Sequence, residues 1–223
     1  MALDPQRHFP LMCLTRDAPG EAHAEQAAGL CEAGARWIQL RMKGASDAAW
    51  LAEAAETAAV CRARGAVLIV NDSVEVALES GADGVHLGSL DCEWRQARRR
   101  LGKGRILGGT VNNSADAARA LGSGALDYVG VGPLRFTATK QNLAPVLGLE
   151  GIRDLISSLG GLPAWVIGGV EPADVPELLE AGASGVAVSS ALYRGGRVAE
   201  NLRAFLDACA VQGSLAPAHP SSP

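Results

Sequence analysis

The segment Gln39-Leu40-Arg41-Met42-Lys43-Gly44 places two cations on alternate residues. In an extended chain that spacing turns Gln39, Arg41 and Lys43 to one face and Leu40 and Met42 to the other. A guanidinium beside an ammonium suits a diphosphate, and cations inside a fold are costly unless they meet an anion. The other reading of this segment is a solvated strand end with an internal salt bridge. Asn71-Asp72 and Gly88-Ser89-Leu90-Asp91 each bring a carboxylate to the start of a helical stretch. Two carboxylates from neighbouring segments, completed by phosphate oxygens, make a suitable setting for Mg2+. Taken singly, each aspartate serves equally well as a helix N-cap.

Hydroxyls and glycines recur further along. Gly108-Gly109-Thr110-Val111-Asn112-Asn113 offers a hydroxyl on a glycine-rich turn that could bind phosphate through backbone amides, or simply a helix cap at Asn113 or Ser114. Thr137-Ala138-Thr139-Lys140 lies in the longest connection of the chain, where two hydroxyls and one charge could meet a phosphate. Gly168-Gly169 and Ser189-Ser190 are short, small-residue turns that let a phosphate approach the backbone closely. Lysine occurs only as Lys43, Lys103 and Lys140, the other basic residues being arginine, so each lysine merits a reason. His86 falls within an apolar run and reads as a satisfied core residue. His8, His23, His86 and His219 do not cluster, and no His-Glu-x-x-His, Gly-x-Ser-x-Gly or P-loop occurs. Zinc hydrolase and triad chemistry are therefore unsupported.

The elements that must position these groups alternate regularly. Apolar runs at 9–15, 37–41, 66–70, 85–87, 105–108, 128–131, 164–167 and 185–188 read as strands. Between and after them, helices are expected at 21–33, 47–64, 74–80, 92–101, 114–121, 149–159, 173–180 and 198–211, with Asp47 capping the second. Eight strand–helix pairs in 223 residues point to a single-domain (β/α)8 barrel of the TIM type, residues 9–212, with an N-terminal extension at 1–8 and a disordered tail at 213–223. An open doubly wound sheet is the runner-up, but Gly130-Val131-Gly132 continues without the third glycine of a dinucleotide fingerprint. In a barrel the loops after the strands carry the chemistry, and the motifs above all fall there.

Composition narrows the partners. The formal net charge of −4 argues against nucleic acid, since no broad basic field exists. Residues 1–8 contain no apolar signal core, and no run reaches the ~18 apolar residues of a membrane span. A cytoplasmic enzyme of small phosphorylated molecules, with no membrane and no obligate protein partner, is expected. The five cysteines are scattered and odd in number, so idle thiols are expected rather than a disulfide framework.

Taken in order, Gln39-x-Arg41-x-Lys43, Val70-Asn71-Asp72, Ala82-Asp83-Gly84-Val85-His86-Leu87-Gly88 with Asp91, Asp127 to Pro133, Thr137-x-Thr139-Lys140, Ile167-Gly168-Gly169 and Ser189-Ser190-Ala191 resemble the thiamine-phosphate synthase family, from about Phe9 to Val211. The resemblance implies condensation of a hydroxymethylpyrimidine diphosphate with a hydroxyethylthiazole phosphate, through dissociative loss of pyrophosphate assisted by Mg2+. It implies that the Gln39–Lys43 segment, Asn71, Thr110 and Lys140 bind the diphosphate, with Arg41, Lys43, Thr110 and Lys140 acting in catalysis. Asp72 and Asp91 would hold the metal, and Thr137, Ala138, Thr139, Gly169, Ser189 and Ser190 the thiazole phosphate. Ser89, Thr110 and Val111-Asn112 depart from the residues common in the family. Rival readings are a thiazole tautomerase, a Schiff-base aldolase or isomerase using Lys43 or Lys140, and a barrel that binds phosphometabolites without catalysis.

Overall fold

Runs such as Val67–Asn71 and Gly84–Leu87 are apolar on both faces, which suits strands buried between an interior and a helical shell. The computed structural model describes residues 10–88, 91–136 and 145–213. In these the strands are β1 (Leu11–Leu14), β2 (Trp37–Leu40), β3 (Val67–Asn71), β4 (Gly84–Leu87), β5 (Ile106–Val111), β6 (Tyr128–Val131), β7 (Ala164–Ile167) and β8 (Gly185–Val188). All pair in parallel in chain order, and β8 returns to β1, so the sheet closes. The helices are α1 (His23–Glu32), α2 (Asp47–Ala63), α3 (Val74–Glu79), α4 (Trp94–Leu101), α5 (Ser114–Ser123), α6 (Gly148–Ser157), α7 (Val175–Glu180) and α8 (Val198–Gly213). The expected single-domain (β/α)8 barrel is the observed architecture.

Differences in detail have local causes. Ser46, not Asp47, caps α2, its hydroxyl accepting from Ala49 N, while Asp47 takes the first helical position. The expected helix from 173 is split into a 3-10 turn, Pro172–Asp174, followed by α7 with a proline in its first turn. α8 runs to Gly213, the first residue of the expected tail, and residues 214–223 lie outside the described residues. The largest correction concerns β5, which continues through Val111. Gly108, Gly109 and Thr110 are therefore strand residues, not a phosphate turn. A Cβ on Gly108 would collide with the Tyr128 ring, and one on Gly109 with Leu126 and Trp94. These glycines serve packing between neighbours.

Two apolar regions result. The larger lies between strands and helices and includes Leu40, Val70, Leu87, Leu107 and Phe205. The smaller fills the barrel: Met12, Leu14, Trp37, Val67, Ile69, Ile106, Tyr128, Trp165 and Ala187. Trp37, Tyr128 and Trp165 meet edge to face, with ring centroids 4.8 to 5.6 Å apart. This aromatic plug leaves the open space at the strands' C-terminal ends. Among the described residues no helix is long and apolar enough to cross a membrane.

Gly108→Ala is expected to destabilise the fold by about 1–3 kcal/mol through overpacking against Tyr128. Gly122→Ala, in α5 with nothing within 4 Å of the new methyl, should be neutral or gain up to about 1 kcal/mol. Urea unfolding of the two variants checks the contrast; equal midpoints would remove the packing role of Gly108.

Candidate active site

The cavity above the plug has a volume of about 1200 Å³. Its lining comes from every strand end, including Gln39, Arg41, Lys43, Asn71, Asp72, Asp91, Thr110, Gly169, Ser189 and Ser190. Strand pairing explains the convergence: Gln39 is opposite Ile69, and Asn71 is opposite His86, so the ends of β2, β3 and β4 reach one rim. Leu40 does not join them. Its side chain is fully buried in the outer core, and the same alternation that turns Arg41 inward turns Leu40 toward the helices. Met42 is half-buried and absent from the lining. Thr137, Ala138, Thr139 and Lys140, together with Ser89, lie outside the described residues.

The rim after β3 and β4 is acidic at its base and cationic on its flank. Asp72 adopts φ 70°, a left-handed conformation tolerated best by Gly, Asn and Asp, and Asp72 N donates to His86 O at 2.8 Å. Ser73, rather than Asp72, caps α3. Asp91 caps no helix either; Glu93 caps α4, and Asp91 accepts from Gly88 N at 2.6 Å. Both aspartates are thereby released from the capping role that the sequence left open. Burial pushes the Asp91 carboxyl up, the Gly88 amide opposes this, and the neighbouring Asp72 carboxylate raises it further. Lys43 forms an ion pair with Asp72. Two carboxylates and a lysine thus interact at one point of the rim.

Deeper in the cavity the polar groups are an imidazole, hydroxyls and an amide. His86 Nε2 lies 3.0 Å from Thr110 Oγ1 and Nδ1 lies 3.1 Å from the Tyr128 hydroxyl. Gln39 hydrogen-bonds Tyr128 as well and reaches Met12 Sδ at 3.2 Å. Burial pushes the Tyr128 hydroxyl up, so it keeps its proton. Thr110 enters the site from within a strand and through His86, and helix α5 is capped independently by Asn113, which accepts from Asp116 N at 2.9 Å.

On the far side, Gly168 and Gly169 both take positive φ. Arg135 reaches across from the β6 loop, donating to Gly169 O at 3.1 Å and gripping Asp174 with two bonds of 2.5 and 2.7 Å. Arg135 holds the Asp174 carboxyl below the usual range, and Asp174 raises the guanidinium. Arg194, after β8, makes a second two-pronged pair with Glu171 at 3.0 and 2.6 Å. These pairs connect the loops after β6, β7 and β8 around Gly169, Ser189 and Ser190.

His86, Tyr128, Asp17, Asn112, Arg135, Glu171 and Arg194 also line the cavity, although sequence reasoning did not select them for the site. His86 carried a signal, its place one residue short of a strand end, but was read as core. The ion pairs join residues far apart in sequence and have no local signature.

The chain matches the family model described as thiamine monophosphate synthase over residues 11–192. A thiamine-phosphate synthase of Bacteroides fragilis is 39% identical over 201 residues, covering 88% of this chain and 98% of that one. The thiamine-phosphate synthase of Bacteroides thetaiotaomicron is 40% identical over 201 residues, covering 88% of this chain and 96% of that one. Among solved structures, a thiamine phosphate pyrophosphorylase from Pyrococcus furiosus superposes with a TM-score of 0.81 at 29% identity, covering 95% of this chain and 99% of that chain. The acidic and cationic rim therefore sits in a barrel that belongs to the thiamine monophosphate synthase family.

Proposed function

We propose that the cavity condenses a hydroxymethylpyrimidine diphosphate with a hydroxyethylthiazole phosphate to give thiamine phosphate and pyrophosphate. The observation that carries the reading is the meeting of Arg41, Lys43, Asp72 and Asp91, from three neighbouring strand ends, on the rim of one cavity that has Gly169, Ser189 and Ser190 opposite. The donor set at the base of the rim fits Mg2+: two carboxylates whose mutual repulsion a divalent cation would relieve, with room for phosphate oxygens to complete the shell. Asp72 and Asp91 would hold it, and when bound it neutralises charge on the departing diphosphate.

The chain's own residues do the rest. Arg41 and Lys43 bind the diphosphate at the rim, with Lys140 assigned to the same group. Gln39, Asn71 and the Thr110–His86 pair line the floor on which the pyrimidine ring lies. The CH2–O bond breaks with both electrons leaving on the pyrophosphate, and the resulting cation is stabilised by the pyrimidine. The thiazole nitrogen lone pair then forms the new C–N bond. No proton transfer is required, so the site needs positioning and charge stabilisation more than a base. The glycine turn after β7 and Ser189-Ser190, with Thr137 and Thr139, hold the thiazole phosphate by backbone amides and hydroxyls. Lys43 is half-exposed and paired with Asp72, the setting of a charged anion-binding lysine rather than of a Schiff-base nucleophile.

Supplying both substrates with Mg2+ and measuring pyrophosphate and thiamine phosphate tests the reading. Asp72→Ala and Asp91→Ala should each cut turnover at least ~100-fold, and near-normal rates in both would refute the metal assignment. Lys140→Ala should cost far more activity than Lys103→Ala, since Lys103 lies between α4 and β5 at the other end of the barrel. Borohydride should trap no adduct.

Asp72 also separates stability from activity. Asp72→Asn suits the left-handed backbone and should unfold within about 1 kcal/mol of the parent, whereas Asp72→Ala carries a penalty of about 1–2 kcal/mol at that φ. Both should lose turnover. Denaturation midpoints measured beside activity check the separation, and an Asp72→Asn variant that keeps full activity contradicts it.

A further inference from the structure

We infer that His23 is a positioning residue for the diphosphate end of the site, acting through Thr15 and Asp17 on the backbone that carries Arg41 and Lys43; this rests on the diphosphate reading above. β2 ends at Leu40, so the backbone of Arg41, Met42 and Lys43 lies beyond the sheet ladder. Its amides are instead caught by side chains from the loop after β1. Arg41 N donates to Thr15 Oγ1 at 3.2 Å, and Lys43 N donates to the two Asp17 oxygens at 3.3 and 3.2 Å. His23, the first residue of α1, joins these two acceptors. Its Nδ1 lies 2.7 Å from Thr15 Oγ1 and its Nε2 lies 3.3 Å from Asp17 Oδ1.

The orientation is self-consistent. A carboxylate only accepts, so in the neutral ring Nε2 carries the proton toward Asp17, and Nδ1 accepts the Thr15 hydroxyl proton. Thr15 Oγ1 then keeps lone pairs for Arg41 N–H. The imidazole thus holds both acceptors in place, and each acceptor holds the backbone of one of the two cations.

The order Thr15–His23–Asp17 also matches a nucleophile, base and acid. Burial excludes that chemistry. Thr15 is 0% exposed and His23 5% exposed, so no substrate reaches the hydroxyl. Only Asp17 of the three lines the cavity. Asp17 is exposed and Thr15 also reaches Gln39 O at 3.5 Å, so what His23 adds is the link that fixes both acceptors at once, and losing it removes a buried bond and lets the Arg41–Lys43 segment drift.

The experiment compares KM for the two substrates, and pyrophosphate binding, in the full-length chain. His23→Ala should raise KM for the pyrimidine diphosphate about tenfold, the scale of one lost buried hydrogen bond, and leave KM for the thiazole phosphate within about twofold. His23→Asn, which can still bond Thr15, should recover part of the loss. Calorimetry with inorganic pyrophosphate and Mg2+ should show weakened binding in the same order. If His23→Ala fails to fold, His23→Asn and Asp17→Asn carry the comparison by the same two readouts. Equal changes in both KM values, or unchanged pyrophosphate binding in folded variants, would overturn the inference. A parent chain that binds pyrophosphate but forms no thiamine phosphate would sink the proposed reaction, while the calorimetric ranking would still decide the role of His23.

Discussion

Asp72 stands close enough to Asp91 to disfavour its charge, and Asp72 itself is partly buried. Such a pair persists only where something nearby answers the charge. Lys43 answers part of it by pairing with Asp72, and the Gly88 amide answers part by donating to Asp91. Closure of the barrel imposes this arrangement. Parallel strands joined edge to edge must all end at the same rim, so β2, β3 and β4 deliver their terminal residues to one place however far apart the residues are in sequence. The left-handed turn at Asp72 then bends the chain at the strand end, where a helix cap would otherwise be the natural use of an aspartate. Ser73 and Glu93 take over the capping, leaving both carboxylates to face the cavity.

Below the rim the polarity falls in layers. The aromatic trio Trp37, Tyr128 and Trp165 closes the barrel, and above it lies a hydrogen-bonded layer of Gln39, Tyr128, His86 and Thr110. Among the described lining residues, the carboxylates, lysine and arginines all lie beyond the strand ends, at the mouth. An aromatic heterocycle attached to a diphosphate would match this gradient: in the proposed reaction the ring would meet a floor of apolar edges and uncharged hydroxyl and amide groups, and the phosphates would meet cations. The low-dielectric floor also strengthens whatever electrostatic contacts the rim makes.

The fold was legible because each strand is a short apolar run followed by a helix with a glycine stop, and closure follows from repeating that unit eight times. The cationic face at the end of β2 was legible for a related reason: alternation predicts that Gln39, Arg41 and Lys43 share a face, and all three line the cavity, whereas Leu40, expected with them at the substrate, is buried in the outer core. Thr110 misled because a Gly-Gly pair before a hydroxyl has two physical causes, a phosphate turn or close packing, and the Tyr128 ring that decides between them lies across the strand pair. Arg135–Asp174 and Arg194–Glu171 were invisible because ion pairs between loops depend on tertiary distance, and the sequence offers many arginines of equal promise. His23 carries no signal among the histidines, because its partners are a threonine and an aspartate eight and six residues before it.

The two halves of the mouth are held by different physics. On the β6–β8 side the links are two-pronged ion pairs whose arginines are more than half-exposed, and such pairs are screened by salt. On the β1–β2 side the link to Arg41 runs through Thr15 and His23, both buried, where a lost bond is not replaced by water, and only the link to Lys43 passes through the exposed Asp17. That asymmetry suits a reaction in which the leaving diphosphate must meet its charges already in place, because reorganising cations at the moment of bond breaking would return the stabilisation they supply. In the proposed reaction the thiazole phosphate, remote from the breaking bond, would need only to be held.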